Sequence, residues 1–320
     1  ETTGKVSLCA KWMPGNNTSS GESVRNAAKI QKFMGMTARQ YRRMLASLRA
    51  YTGVTECYMS GNRWDEIDYT HVSSRANLLY RRAFLRRDEA RRKAYLQQVQ
   101  KNREVIHAGV LMPHEIVAQY MVRNGWRMET GPEDATLEAL WEKLPDAVAE
   151  AGNVLCVVDG SGSMLCPVGE GNTASLHVSN ALGIYFAERM GGAYRDRFIT
   201  FSANPKYVDL SKCRTLRQKL ELAFAHSDCS NTNLEATFEL ILQTAARNRL
   251  RQEELPGTVL VISDMEFDAA VGGCGMETLF ETIKRRFAGY GYRMPRLVFW
   301  NVNSRTNVIP VRENEMGVGL

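Results

Sequence analysis

Apolar positions fall into two patterns along this 320-residue chain. Up to about residue 150 they recur at spacings of three and four, the period of a helix with one buried face. Val24, Ala27, Ala28, Ile30 and Phe33 outline a helix that stops at Gly35, and Thr37 stands as cap for another through Tyr41, Met44, Leu45 and Leu48 to Gly53. Ser73 or Ser74 opens a helix toward Phe84, and Asp88 opens the next. Pro113 suits a first helical position before Ile116, Val117 and Tyr120, and Glu133–Trp141 closes the series. With no clean repeat period, this half reads as an all-helical module, solenoid-like or an irregular bundle.

The second pattern begins after a linker at Pro145–Asn153. Short, continuous apolar runs bounded by turn residues read as buried strands: Val154–Val158, Phe198–Phe201, Tyr207–Leu210, Thr258–Ser263 and Leu297–Asn301. Helical stretches alternate with them, from Leu176 toward Gly191, at Leu216–Ala225, Asn233–Arg247 and Glu277–Phe287. Such alternation predicts a doubly wound, mostly parallel, Rossmann-like sheet. The expected division is a basic helical module at 1–150 and an α/β domain at 151–320.

Chemistry enters where the strands stop. Val154–Met164, VLCVVDGSGSM, passes from a buried strand into Asp159, Ser161 and Ser163 spaced D-x-S-x-S, with Gly160 and Gly162 permitting unusual backbone angles. Thr258–Ser263 likewise ends in Asp264, and Thr232 lies at the start of the helix through Leu234, Phe238, Ile241 and Leu242, where capping is its ordinary role. Strand ends of an open α/β sheet converge on one pole, where ligands bind. Carboxylate and hydroxyl oxygens are hard donors, suited to Mg²⁺.

These positions resemble the von Willebrand factor A domain, whose metal-ion-dependent adhesion site draws D-x-S-x-S from one loop, a threonine from a second and an aspartate from a third. The resemblance implies that Ser161, Ser163 and Thr232 offer hydroxyls to Mg²⁺, with Mn²⁺ or Ca²⁺ as alternatives, and that Asp159 and Asp264 act mostly through bound water. The sixth position would accept an acidic side chain of a protein partner. The loop Leu165–Ala174 after the motif would lid the metal or decorate its rim.

Charge adds a second signal. Residues 1–150 carry 23 Lys and Arg against 17 Asp and Glu, whereas 151–320 carry 18 of each. Arg81, Arg82, Arg86, Arg87, Arg91, Arg92 and Lys93 cluster on one helical stretch, a candidate face for structured or single-stranded RNA. Such residues also serve as plain solvated faces and salt bridges. Most of the interleaved aromatics, among them Tyr80 and Phe84 at helical spacing, read as core.

Three further segments, GKVSLCAKWMP at 4–14, NRWDEIDYTHVSSRA at 62–76 and VISDMEFD around Ser263–Asp268, look like an uncharacterised family of plants, bacteria, phages and giant DNA viruses. A helical module followed by an A domain is also similar to the Ro family, whose helical-repeat TROVE module forms a ring that binds small structured RNAs and the ends of misfolded RNAs. Against that wider family the chain looks cut at both ends.

Other classes recede. Seven cysteines form no C-x-x-C pair, and the five histidines make no H-E-x-x-H zinc site, so His114-Glu115 reads as a surface or helix-start pair. No apolar run approaches the ~20 residues of a membrane span, and the first residues lack a signal pattern, so a cytoplasmic location is expected. The leading expectation is a non-enzymatic, Ro-like ribonucleoprotein scaffold with a Mg²⁺-dependent docking domain. A protein adaptor without nucleic acid comes second. A phosphohydrolase or nuclease using Asp159, Asp264 and Glu266 or Asp268 ranks last, because two-metal catalysis needs several carboxylates directly on the metal.

Overall fold

The computed structural model describes residues 9–125, 127–168, 173–227, 233–264, 274–303 and 318–319. Two compact units divide between His107 and Ala108. The first contains α1 (Cys9–Trp12), α2 (Gly21–Phe33), α3 (Ala38–Tyr51), α4 (Thr55–Ser60), α5 (Ser74–Arg87) and α6 (Glu89–Gln100). Ser20 caps α2, ahead of the Val24 at which its apolar pattern begins, and Thr37 caps α3 as the sequence predicts, in a reciprocal box with Gln40. Ala27, Tyr41 and Leu45 join these two helices, with Met13 packed alongside.

A buried cation holds the junction of α5 and α6. Arg92 is fully buried, its guanidinium 4.9 Å from the Tyr69 ring and 5.2 Å from both Phe84 and Tyr95. Aromatic faces attract a desolvated cation, worth about 2 kcal/mol in such settings. The Tyr69 hydroxyl donates to Asp88, the residue between the two helices, at 2.9 Å. The 62–76 segment thus delivers Tyr69 to this cage.

The second unit holds α7 (Pro113–Tyr120), β1 (Met121–Asn124), β2 (Arg127–Thr130), α8 (Ala135–Glu142), β3 (Val154–Asp159), α9 (Ser175–Arg189), β4 (Arg197–Phe201), β5 (Tyr207–Asp209), α10 (Leu216–Ala225), α11 (Leu234–Asn248), β6 (Thr258–Ser263), α12 (Cys274–Gly289), β7 (Arg296–Asn301) and β8 (Val318–Gly319). Six strands run in the order β5-β4-β3-β6-β7-β8, parallel except for β5 at the edge. One face packs Val157, Ile199, Val261 and Phe299 against Phe238 and Ile241 of α11 and Phe287 of α12. On the other, α9 crosses β3 so closely that a Cβ on Gly183 would lie 2.4 Å from the Val158 side chain. The doubly wound, mostly parallel sheet is as expected.

Two expectations are corrected. Residues 1–150 are not all helical, because β1 and β2 form an antiparallel hairpin whose two-residue connection opens on Gly125, at φ +62°. The sequence carried its signal in Gly125, the residue favoured at the first position of a two-residue II′ hairpin turn. Second, 108–150 packs with the sheet unit. Glu138 of α8 accepts the Leu216 and Arg217 N–H groups at 2.7 and 3.2 Å and the Tyr120 hydroxyl at 2.7 Å, so its charge caps α10. Trp141 donates to Glu188 at 2.9 Å, and the Tyr185 hydroxyl bridges Pro145 O and Ala147 N.

Replacing Glu138 by Ala leaves the Leu216 and Arg217 N–H groups without their acceptor, while the Tyr120 hydroxyl keeps Asp134 O at 3.1 Å. Urea unfolding should register a loss of about 2–4 kcal/mol, with Glu138→Gln less damaging. An Ala variant of unchanged stability would refute this role.

Candidate functional site

Strand order reverses direction between β3 and β6, the switch point where open sheets leave a crevice. Asp159 ends β3 there, and Asp264 follows β6. Both carboxylates are only 2% exposed. Asp159 accepts the Ser161 N–H at 2.8 Å on one oxygen and the Ser263 hydroxyl at 2.5 Å on the other. Burial pushes its pKa up, the two hydrogen bonds oppose that rise, and the charge of Asp264 adds to it. On the adjoining loop the Ser161 and Ser163 hydroxyls lie 3.0 Å apart, and the N–H of the fully buried Met164 donates to Ser161 O at 3.2 Å.

The glycines of this loop serve differently from expectation. Neither Gly160 nor Gly162 is left-handed. Gly160 is needed for close approach, since a Cβ there would stand 2.2 Å from the Ser227 hydroxyl, which donates to the Gly160 carbonyl. Beside it, a cavity of about 20 Å³, lined in part by Val158, Asn180 and Ser202, has room for one water. The buried Ser202 hydroxyl, without a protein partner among the described residues, lines it. Thr232, Glu266 and Asp268 lie outside the described residues. Adjacent Asn233 caps α11, accepting Ala236 N–H at 2.9 Å, and donates its own N–H to Ser202 O. The capping role considered for Thr232 is therefore filled by Asn233.

After the motif, Pro167 bridges to Ala174 and Val168 N–H donates to Thr173 O, and residues 169–172 lie outside the described residues. His177 Nδ1 accepts the Ala174 N–H at 3.1 Å, which closes the start of α9 with a neutral imidazole. Burial holds the pKa of His177 below its ordinary value, and His114 of α7 depresses it further. Burial also lowers His114, opposed by Glu115.

The arginine cluster is largely corrected. Arg92 and Arg81 are buried, the first in its aromatic cage and the second donating to Leu78 O at 2.8 Å. Arg91 reaches Trp64 O, Ile67 O and Asp88, and Lys93 pairs with Glu89. Arg82, Arg86 and Arg87 remain exposed. The sequence signal was present, because Arg92 keeps helical spacing with Tyr95, Leu96 and Val99, all buried. Conversely, the exposed cations of α2 and α3 are spread over two helices, with Arg42-Arg43 their one adjacent pair.

These features define a doubly wound α/β domain with an acid and hydroxyl pole at its switch point, joined in one chain to a basic helical unit. The chain belongs to the family of the Domain of unknown function (DUF7788), whose model matches residues 153–320, more than half of it. A second model, Domain of unknown function (DUF2828), matches residues 16–154. The chain is similar to Uncharacterized protein L728 of Acanthamoeba polyphaga mimivirus, 31% identical over 331 residues that cover 98% of this chain and 55% of the relative. That giant-virus relative fits the wider family suggested by the motifs. Among solved structures, the Ro (RSR) protein of Deinococcus radiodurans is similar at TM-score 0.47 and 15% identity, over 94% of this chain and 60% of that one. The chain thus spans little more than half the length of either.

The two histidines make stability pH-dependent. Their folded pKa values lie below the ordinary 6.5, so their stabilisation is complete above that value and is lost as pH falls through the folded values. Melting temperature should drop between pH 7.5 and 5.5, and His114→Gln with His177→Asn, which keeps an acceptor, should flatten the drop. An unchanged slope in the double variant would contradict the assignment.

Proposed function

We propose that this chain is a non-enzymatic binding protein whose sheet unit docks an acidic partner side chain through Mg²⁺ while its helical unit holds RNA, in a ribonucleoprotein scaffold. The carrying observation is the pair of desolvated carboxylates, Asp159 and Asp264, beside the Ser161 and Ser163 hydroxyls. The donor set fits the ion: all oxygen, two acids and neutral hydroxyls, without nitrogen or sulfur. Both Asp159 oxygens already accept hydrogen bonds, which orient the carboxylate and leave lone pairs for bridging waters. Ser161, Ser163 and Thr232 would hold Mg²⁺ directly, as in the von Willebrand A resemblance, with Asp159 and Asp264 behind water. Bound there, the ion would supply an electropositive position for a carboxylate oxygen. A hydroxyl-rich set leaves the ion's charge under-neutralised, which favours capture of an acid over hydrolysis.

RNA holding is supported by the charge division. With the units parted at His107, the helical unit carries 20 basic against 9 acidic side chains and the sheet unit 21 against 26. Such a basic surface attracts phosphates. One observation favours an adaptor without nucleic acid: Arg81, Arg91, Arg92 and Lys93 are engaged inside their own unit.

Saturating Mg²⁺ should raise the melting temperature, equivalent to about 2.7 kcal/mol at a hundredfold excess over Kd. Asp159→Ala and Asp264→Ala should abolish the shift and keep the fold. A wild-type chain insensitive to Mg²⁺, Mn²⁺ and Ca²⁺ would overturn the docking reading. The purified protein should cleave neither RNA nor DNA with Mg²⁺ or Mn²⁺; turnover abolished by Asp159→Ala would overturn the non-enzymatic one.

A further inference from the structure

We infer that nucleic acid is held by the α2–α3 hairpin, which takes the phosphate backbone of a single strand, rather than by the more arginine-rich α5–α6 stretch. The inference rests on the reading that the helical unit holds nucleic acid. Residues 21–51 contain seven basic side chains and one acidic, Glu22. Arg25, Lys29 and Lys32 recur at four and three residues along α2, and Arg39, Arg42 and Arg43 share a face of α3 at the same spacing. All six are exposed, and among the described residues none is in an ion pair. The seventh, Arg49, ties α3 to α1 by donating to Met13 O at 2.8 Å.

The contrast with α5–α6 is one of availability. There the fold engages four of the seven candidates and leaves Arg82, Arg86 and Arg87 exposed. Six cations with a single acid among them form the denser unneutralised charge, and each phosphate contact releases about 0.7 counterion from a single strand.

Exposed aromatic groups favour a single strand over a duplex. Phe33, at the end of α2, is 92% exposed, and Trp12, on the α1 turn packed against α3, is 76% exposed. Unstacked bases can lie on such rings, at about 1–3 kcal/mol per base, whereas a duplex keeps its bases stacked inside. Cations flanking exposed rings fit a backbone with splayed bases.

The test uses the full chain, labelled 20-nucleotide RNA and DNA single strands, a duplex of the same sequence and anionic vesicles, with anisotropy or co-sedimentation followed against salt. Lys29→Glu with Arg42→Glu and Arg43→Glu is compared with the charge-matched Arg82→Glu, Arg86→Glu and Arg87→Glu. Circular dichroism verifies both folds, and the corresponding Gln variants replace any that fails. The hairpin triple should weaken single-strand binding at least about tenfold and lower the salt slope by about two, while the α5 triple changes affinity less than about threefold. Phe33→Ala should weaken the single strand about tenfold and spare the duplex. Preference for RNA over DNA, or none, agrees with the inference. Equal losses in the two triples, a dominant loss in the α5 triple, or preference for duplex or vesicles overturns it. A wild-type chain that binds no nucleic acid instead removes the underlying RNA reading.

Discussion

The sheet unit is organised around a desolvated carboxylate. Asp159 sits at the end of a strand buried along its whole length, where a bare negative charge would be very costly. Ser263 from the neighbouring strand and Ser161 from the following loop supply its hydrogen bonds, so the strand end and the loop meet at one side chain. Gly183 lets α9 press onto β3 from below, and Ser179 of the same helix donates to the Asp159 carbonyl. A second buried acid beside it, Asp264, makes the pole a place where positive charge is welcome.

The helical unit solves the opposite problem with a different material. Arg92 is a buried cation held by three ring faces, and Asp88 sits nearby, bonded to Tyr69 and Arg91. Its charge is turned inward to join two helices, whereas Arg25, Lys29, Lys32, Arg39, Arg42 and Arg43 of α2 and α3 are exposed. Density of arginine along a sequence and density of charge on a surface are therefore different quantities.

That distinction marks what could be read from the amino acids. Strands β3 and β6 were legible because an unbroken apolar run stopped at a polar group, and Asp159 and Asp264 were legible as those stops. The start of α3 was legible because Thr37 caps it, whereas the caps Ser20 and Asp134 stand outside the apolar patterns that outlined their helices. The β1–β2 hairpin was missed because Arg123 and Arg127, on either side of Gly125, blur the alternation. Arg81 and Arg92 were misread because arginine is ordinarily exposed, although their spacing to Leu78 and Tyr95 placed them on buried faces. The unit boundary was misread because Pro145 resembles a linker; only the Tyr185 hydroxyl, forty residues on, reveals that this turn is pinned to α9.

Family seam and packing seam therefore do not coincide in this molecule. One family model begins at residue 153, just before β3, yet α9 inside that span leans on Trp141 and Pro145 from outside it. A lineage that transferred the segment from 153 onward alone would inherit a sheet with one helix uncovered, its Glu188 deprived of an indole donor. Any relative that carries this domain behind a different leader must have evolved another lid for α9, and the residues facing that helix are where such lineages should diverge together.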